Sequence, residues 1–336
     1  MFIIRIILIA SLLLVLSCSK NCIDYNINVD KQKISLKYNH LEKELFSAEI
    51  DNEAKHNYLI DKYDRLYSLF YSQMLNEGNP FSENAPIRLK TFIEHPSTSE
   101  ISSTILTYFS DFSPYEKEIN SAFKHFNYYF PDSTLPSITT LYSNFNANTI
   151  EVDKTIAIGL EMYLGENNKI VKSLPSDYFP KFIKQKMNAQ YLVSDVMHCL
   201  LHNRFYTSLG DDFLSEIISL GKISYLIEVM TPNQDENLKF RYSKDELIWC
   251  QENEQNIWET IVNENLLYSK DKKLLNHFIS LAPYTKGLPK ESPSRVGVWL
   301  GYKIVKDYVE SNCIDIQSLV NEKNAKKILK SYHPNE

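Results

Sequence analysis

Apolar residues along most of this chain recur every three or four positions, the period of a helix that buries one face. Leu59, Tyr63, Leu66, Phe70 and Met74 follow that period and predict a helix over 53–75, stopped by Asn76-Glu77-Gly78-Asn79-Pro80. A second helix is expected around 99–109. A third is expected over 114–129, with Ser113 as its cap, Pro114 in the first position and Glu116 in the first turn. The stretch 33–46 alternates at its start, as a strand does, and turns charged towards its end. After Pro131 the period shortens to two. Residues 135–144 and 157–164 read as strands, with 145–152 as a turn-rich link, so the pair predicts a hairpin on a small sheet. Beyond Pro175 every periodic segment is helical: 178–186, 189–206, 211–230, 244–267, 272–280, 294–311 and 315–331.

That order predicts an α+β fold, mostly α-helical, in which a small β-sheet is followed by a helical half. A single domain is expected over 33–336, its section 33–134 mainly helical and 135–336 carrying the sheet and the helical half. The N-terminus is of a different kind. Residues 1–5 hold one positive charge, and 6–16 form an eleven-residue apolar run too short to span a bilayer comfortably. The run ends in Val15-Leu16-Ser17-Cys18, which resembles a bacterial lipobox, although Leu16 stands where a smaller residue is commoner. The expectation is a signal peptide over 1–17, lipidation at Cys18 and a polar tether over 18–32. No later segment is long and apolar enough to cross a membrane, so the body should sit on a lipid anchor.

A formal net charge of −6 gives no support to nucleic-acid binding. Of five cysteines, Cys22, Cys199, Cys250 and Cys313 remain after Cys18, and four cysteines allow three pairings. Cys199 and Cys250 lie in apolar helical patterns and are expected as buried free thiols.

The strongest chemical pattern is Asn188 to Tyr206, NAQYLVSDVMHCLLHNRFY. Leu192, Val196, Leu200 and Leu201 form its apolar face, and His198 and His202 point the same way one turn apart. This is the histidine spacing of the H-E-x-x-H zinc helix, with Cys199 where the general-base Glu belongs. A sheet followed by such a helix is also the order of zincin-type metallopeptidases, an analogy that makes the expected fold a degenerate zincin-like one. The loop 283–293, with Lys290, Glu291 and Arg295 at its rim, is a candidate partner surface. Trp299 on the following helix is expected in the core. Gly297 and Gly301, four apart, would let another element pack closely. Glu161 is placed within a strand as a paired edge carboxylate. No phosphate loop, CxxC pair or serine-triad signature is present.

The stretch 282–308, APYTKGLPKESPSRVGVWLGYKIVKDY, together with Asn144-Phe145-Asn146, IGLEMYLG at 158–165 and MNAQYLVSDVM at 187–197, resembles the gliding-motility lipoprotein family GldB of Bacteroidetes. That family is similar to predicted zinc peptidases carrying a true HExxH helix and a downstream Glu-Gly. The resemblance aligns His198 and His202 with the zinc histidines, Cys199 with the base and Leu220-Gly221 with the Glu-Gly. A catalytic zinc needs three protein ligands and a carboxylate to take the water's proton. Leu220 cannot ligate; Glu216, four residues earlier on the same face, can substitute.

The resemblance implies a lipid-anchored envelope protein without catalytic residues or a required cofactor. Its place would be the periplasmic face of the outer membrane, with other gliding and type IX secretion-linked envelope proteins as partners. The alternatives are a zinc-dependent peptidase using His198, His202 and Glu216, and a peptidoglycan- or glycan-binding module, which the 22 tyrosines permit.

Overall fold

In the computed structural model, which describes residues 23, 27–48 and 51–335, the chain is an α+β fold dominated by helices. The proposed leader 1–17, Cys18 and Cys22 lie outside the described residues. Strand β1 (Tyr38–His40) runs into helix α1 (Leu41–Phe46). Helices α2 (Asn52–Leu69, extended by a π turn over Phe70–Met74), α3 (Ala85–Glu94), α4 (Pro96–Tyr108) and α5 (Ser113–Tyr129) follow. The sheet is completed by β2 (Ser137–Leu141), β3 (Thr149–Val152) and β4 (Thr155–Gly159).

The expected hairpin of 135–144 with 157–164 does not form. β2 and β4 are parallel, with Ser137 opposite Thr155 and Leu141 opposite Gly159. The hairpin is β3–β4, turned at Asp153 with φ 53°, so the segment read as a link supplies a strand. Four residues, Thr149-Ile150-Glu151-Val152, are too short for alternation to stand out from a polar loop. The strand order is β1-β2-β4-β3. Both faces are covered: Ile138, Ile156 and Ile158 face the large core with Phe123, Phe126 and Val196, while Leu141 and Ala157 face a smaller cluster around Leu45, Leu59, Tyr67 and Phe70.

The strand expected over 157–164 also ends early. Beyond Gly159 the chain turns through a 3-10 segment, Leu160–Tyr163. Glu161 is therefore not an edge carboxylate. It is fully buried and accepts hydrogen bonds from the backbone N–H of Ser143 (3.1 Å) and Phe145 (2.8 Å) and from the Ser143 hydroxyl. Those bonds fix a left-handed pair, Asn144 (φ 54°) and Phe145 (φ 61°). Burial outweighs these donors and raises the Glu161 pKa to about 7.

The helical half holds α6 (Lys169–Ser173), α7 (Lys181–Lys184), α8 (Leu192–Phe205) and α9 (Phe213–Met230), then α10 (Lys244–Glu252), α11 (Glu254–Asn263) and α12 (Lys272–Ile279). It ends with α13 (Val296–Asn312), α14 (Ile316–Asn321) and α15 (Ala325–Leu329). Three expected helices are interrupted. Pro180 confines 178–186 to α7, 244–267 breaks at Asn253, and 315–331 divides where the Asn324 side chain caps α15. Asp111, not Ser113, stabilises the start of α5: its Oδ1 accepts from the Ser113 N–H at 3.0 Å. Cys199 and Cys250 are buried free thiols, and Cys313 is disulfide-bonded.

Helices α9 and α13 cross in close backbone contact. α9 is apolar nearly all round and buried on nearly every side. Gly221 on α9 faces Gly301 on α13, and a Cβ on either would overlap the other helix's backbone, at Gly301 and Tyr302 or at Ile217. Overpacking costs about 1–3 kcal/mol where side chains can yield; here the obstacle is backbone. Gly301→Ala should therefore lose at least the upper end of that range in a urea or thermal melt. Gly221→Ala should lose a similar amount, and the double variant less than the sum, because either substitution already forces the same two helices apart. Additive, small losses would show that the crossing is looser than described.

Candidate functional site

Helix α8 carries the candidate histidines. Asn188 caps the 3-10 turn Ala189–Tyr191 that leads into it, accepting from the Gln190 N–H at 3.1 Å. Leu192, Val196, Leu200 and Leu201 are buried against the sheet and α9. On the opposite side the rings of His198 and His202 stack with centroids 5.5 Å apart, and His202 stacks on Tyr206 at 4.6 Å. Tyr206 turns its hydroxyl to Glu216 in the first turn of α9, 3.1 Å from Oε1 and 3.0 Å from Oε2. The carboxylate that could complete a metal site is thus held by a phenol. The Cys199 thiol is pushed up to about 12, by burial first and then by Glu151, so it stays protonated.

The charged neighbours of His198 are Asp195 on its own helix and two arginines from elements that the sequence pattern did not connect to it. Asp195, one turn before His198, is buried; its Oδ2 accepts from the Tyr163 hydroxyl at 2.8 Å and from Arg241 Nη1 at 2.6 Å. Arg241 follows the 3-10 turn Glu236–Phe240 in a left-handed conformation (φ 58°), and its Nη2 donates to the carbonyl of Lys186 at 2.6 Å. Arg295, also left-handed (φ 62°), stands just before α13. Tyr242 donates to the carbonyl of the preceding Ser294 at 2.8 Å and so fixes the approach to Arg295.

The loop rim is divided accordingly. Lys290 and Glu291 are exposed, whereas Arg295 is half-buried and leaves them to join the wall of a cavity of about 200 Å³ with Ser194, Asp195, His198 and Arg241. Thr285 closes the loop at its base. Its backbone N–H and its hydroxyl both donate to the Pro293 carbonyl, at 3.0 and 2.7 Å, and the Val296 N–H donates to that hydroxyl at 3.3 Å. Trp299, one turn into α13, is fully buried.

This electrostatic setting decides what the histidines can hold. Burial lowers the His198 pKa most, and Arg295, His202 and Arg241 lower it further, to about 3. Burial also lowers His202, partly offset by Glu216. Neutral imidazoles suit a metal, but cationic guanidiniums beside them oppose a second positive charge. Among the described residues no group of three His, Cys, Asp or Glu side chains is arranged to hold a metal ion. As placed, His198, His202 and Glu216 are not gathered into a three-ligand zinc site. The sequence reading missed Asp195, Tyr163 and Arg241. An acidic residue inside the apolar run LVSDVM was the available signal for Asp195; nothing near Arg241 gave one.

A family model described as gliding motility protein GldB matches residues 24–334. No curated protein and no solved structure matches the chain.

The depressed pKa of His198 makes stability depend on pH. Unfolded, the imidazole titrates near pH 6.5; folded, it stays neutral down to about 3. Between those limits the unfolded chain binds the extra proton, so this contribution is complete above about pH 6.5 and is lost as pH falls towards 3. The slope reaches at most about 1.4 kcal/mol per pH unit, less where residual solvent screens the ring. Urea melts from pH 7 to pH 4 should lose stability more steeply for the wild type than for His198→Gln, a difference that cancels the other groups titrating there. Parallel slopes would mean that His198 is solvated.

Proposed function

The chain belongs to the gliding motility protein GldB family, and from that premise we propose that it works as a lipid-anchored envelope protein of the gliding machinery, by binding and not by catalysis. The family makes it a gliding motility-associated protein. The anchor, the periplasmic face of the outer membrane and the link to type IX secretion belong to this proposal. So do its partners, other gliding and secretion proteins of the envelope.

One observation carries the non-catalytic reading: Arg241 and Arg295 put positive charge beside His198, where a hydrolytic zinc would have to be bound. Glu216 held by Tyr206 and a protonated thiol at Cys199 agree with it. No described helix is long and apolar enough to cross a membrane. The partner surface we assign is the exposed tip of the loop before α13, at Lys290 and Glu291.

The anchor is tested by Cys18→Ala. One acyl chain holds a protein at a membrane only marginally, whereas several hold it stably. The variant should lose acyl labelling and remain uncleaved by the lipoprotein signal peptidase; unchanged labelling would remove the anchor from the proposal.

The binding surface is tested by setting two variants side by side. Trp299→Ala empties a buried site at about 3–5 kcal/mol, a large part of the roughly 5–15 kcal/mol that holds a domain. It should lower both the melting temperature and the cellular abundance. Reversing Lys290 and Glu291 together should leave the melt unchanged, since exposed charges contribute little to stability, yet reduce recovery of envelope partners from solubilised membranes. A loop variant that melts normally and recovers every partner would show that the loop only connects helices. Chelator-sensitive cleavage of unfolded protein substrates by the purified chain would overturn the non-catalytic reading.

A further inference from the structure

The cavity beside His198 has the chemistry of an anion site, and its charges do not balance without one. Its wall, around a volume of about 200 Å³, sets one carboxylate, Asp195, against three cations, Lys239, Arg241 and Arg295, beside His198 and the polar side chains of Asn148, Thr149 and Ser194. Two of the three cations are already engaged. Lys239 is paired with Glu228 and lies 4.0 Å from the centre of the Tyr302 ring. Arg241 is paired with Asp195, whose Oδ2 also takes the Tyr163 hydroxyl.

Arg295 is the exception. Among the described residues its guanidinium has no hydrogen-bond acceptor and no ion-pair partner. Burial is the largest influence on it, enough to lower its pKa despite the favourable presence of Tyr242 and Asp195. A half-buried guanidinium without an acceptor among the described residues, held at a left-handed residue and facing a cavity, is arranged to meet a ligand.

We propose that this cavity binds a carboxylate, with Arg295 as its bidentate partner and the Asn148 amide, whose Nδ2 is buried without a hydrogen-bond partner among the described residues, as a flanking donor. A carboxylate is favoured over a phosphate dianion because one cation is unbalanced, and because the planar guanidinium matches the carboxylate plane. A neighbouring cavity of about 300 Å³ shares Thr149 and His198 and extends past Ile150 to His202, giving room for the body of a small acid or for the last residues of a peptide. The site needs neither the lipid anchor nor the loop tip, so it stands or falls separately from the proposed partner surface.

Calorimetry and thermal melts on the detergent-solubilised full chain test this at constant ionic strength, with sodium chloride as the reference. The probes are acetate, N-acetyl-trialanine, the same peptide amidated at its C-terminus, and inorganic phosphate. Saturable binding of acetate alone assigns free small acids, and binding of acetate and the free-acid peptide assigns chain termini as well; both support the site. No carboxylate binding beyond chloride, equal binding of the amidated peptide, or phosphate binding as tight as acetate would overturn it.

Arg295→Gln should weaken the carboxylate at least tenfold, with Arg295→Lys intermediate, while Lys290→Gln leaves it unchanged. Should Arg295→Gln not fold, Thr149→Glu gives a second answer by placing a carboxylate inside the cavity. It should raise the melting temperature without ligand and abolish binding. A lowered melting temperature with binding intact would refute the assignment.

Discussion

Two helices that touch through their backbones set the frame for everything else. With no Cβ at Gly221 or Gly301, α9 and α13 approach more closely than side chains would allow, and each presents the other with a flat peptide surface. α9 then has no free face: α8 packs along one side and α13 along the other. The close crossing also explains the dipeptide Leu220-Gly221. Its glycine is demanded by α13 whatever chemistry the site performs, whereas Leu220 is only half-buried and contributes no ligand. A pattern that looks like half of a metal-site motif is, in this molecule, a packing device.

Position at that crossing becomes charge at the site. α13 begins at Val296, so its depth against α9 fixes where Arg295 stands, and the Thr285 bonds to Pro293 and Val296 hold the approach from the other side. Arg295 and Arg241 reach His198 from separate elements and lower its pKa together with burial. The stacked rings of His198, His202 and Tyr206 remain neutral under these conditions, and Tyr206 passes the contact on to Glu216. The helix keeps the spacing of a zinc helix while two arginines stand beside its first histidine.

Long periodic segments were legible in the sequence. α2, α8, α9 and α13 lie close to where the apolar spacing put them, because each buries a wide stripe that repeats over many turns. What failed was short or non-local. β3 has four residues, α7 is cut by Pro180, and the parallel pairing of β2 with β4 depends on which edge β3 occupies. At the site, the histidine pair was visible because one helix carries both residues. The Asp195–Arg241–Tyr163 cluster was not, since its members are 32 and 46 positions apart and no local rule links them. Glu161 is an instructive middle case. Its segment and the Asn144-Phe145-Asn146 turn were both picked out as family-like, and the structure shows that one hydrogen-bonds the other.

The two left-handed arginines show how this fold spends conformational strain. Residues other than glycine held in that region cost roughly 1–3 kcal/mol and persist only where the surroundings over-determine them. Arg241 has such surroundings: Asp195 and the Lys186 carbonyl take its two terminal nitrogens, and its guanidinium lies 5.4 Å from the centre of the Tyr191 ring. Arg295 has the backbone support, through Tyr242 at Ser294 and the start of α13, but no side-chain partner among the described residues. Packing alone does not account for that difference, because a glycine before α13 would adopt the same backbone without strain and without a desolvated charge. The strain at Arg295 thus goes with an unpaired guanidinium at the cavity wall, which is the observation from which the carboxylate site is proposed.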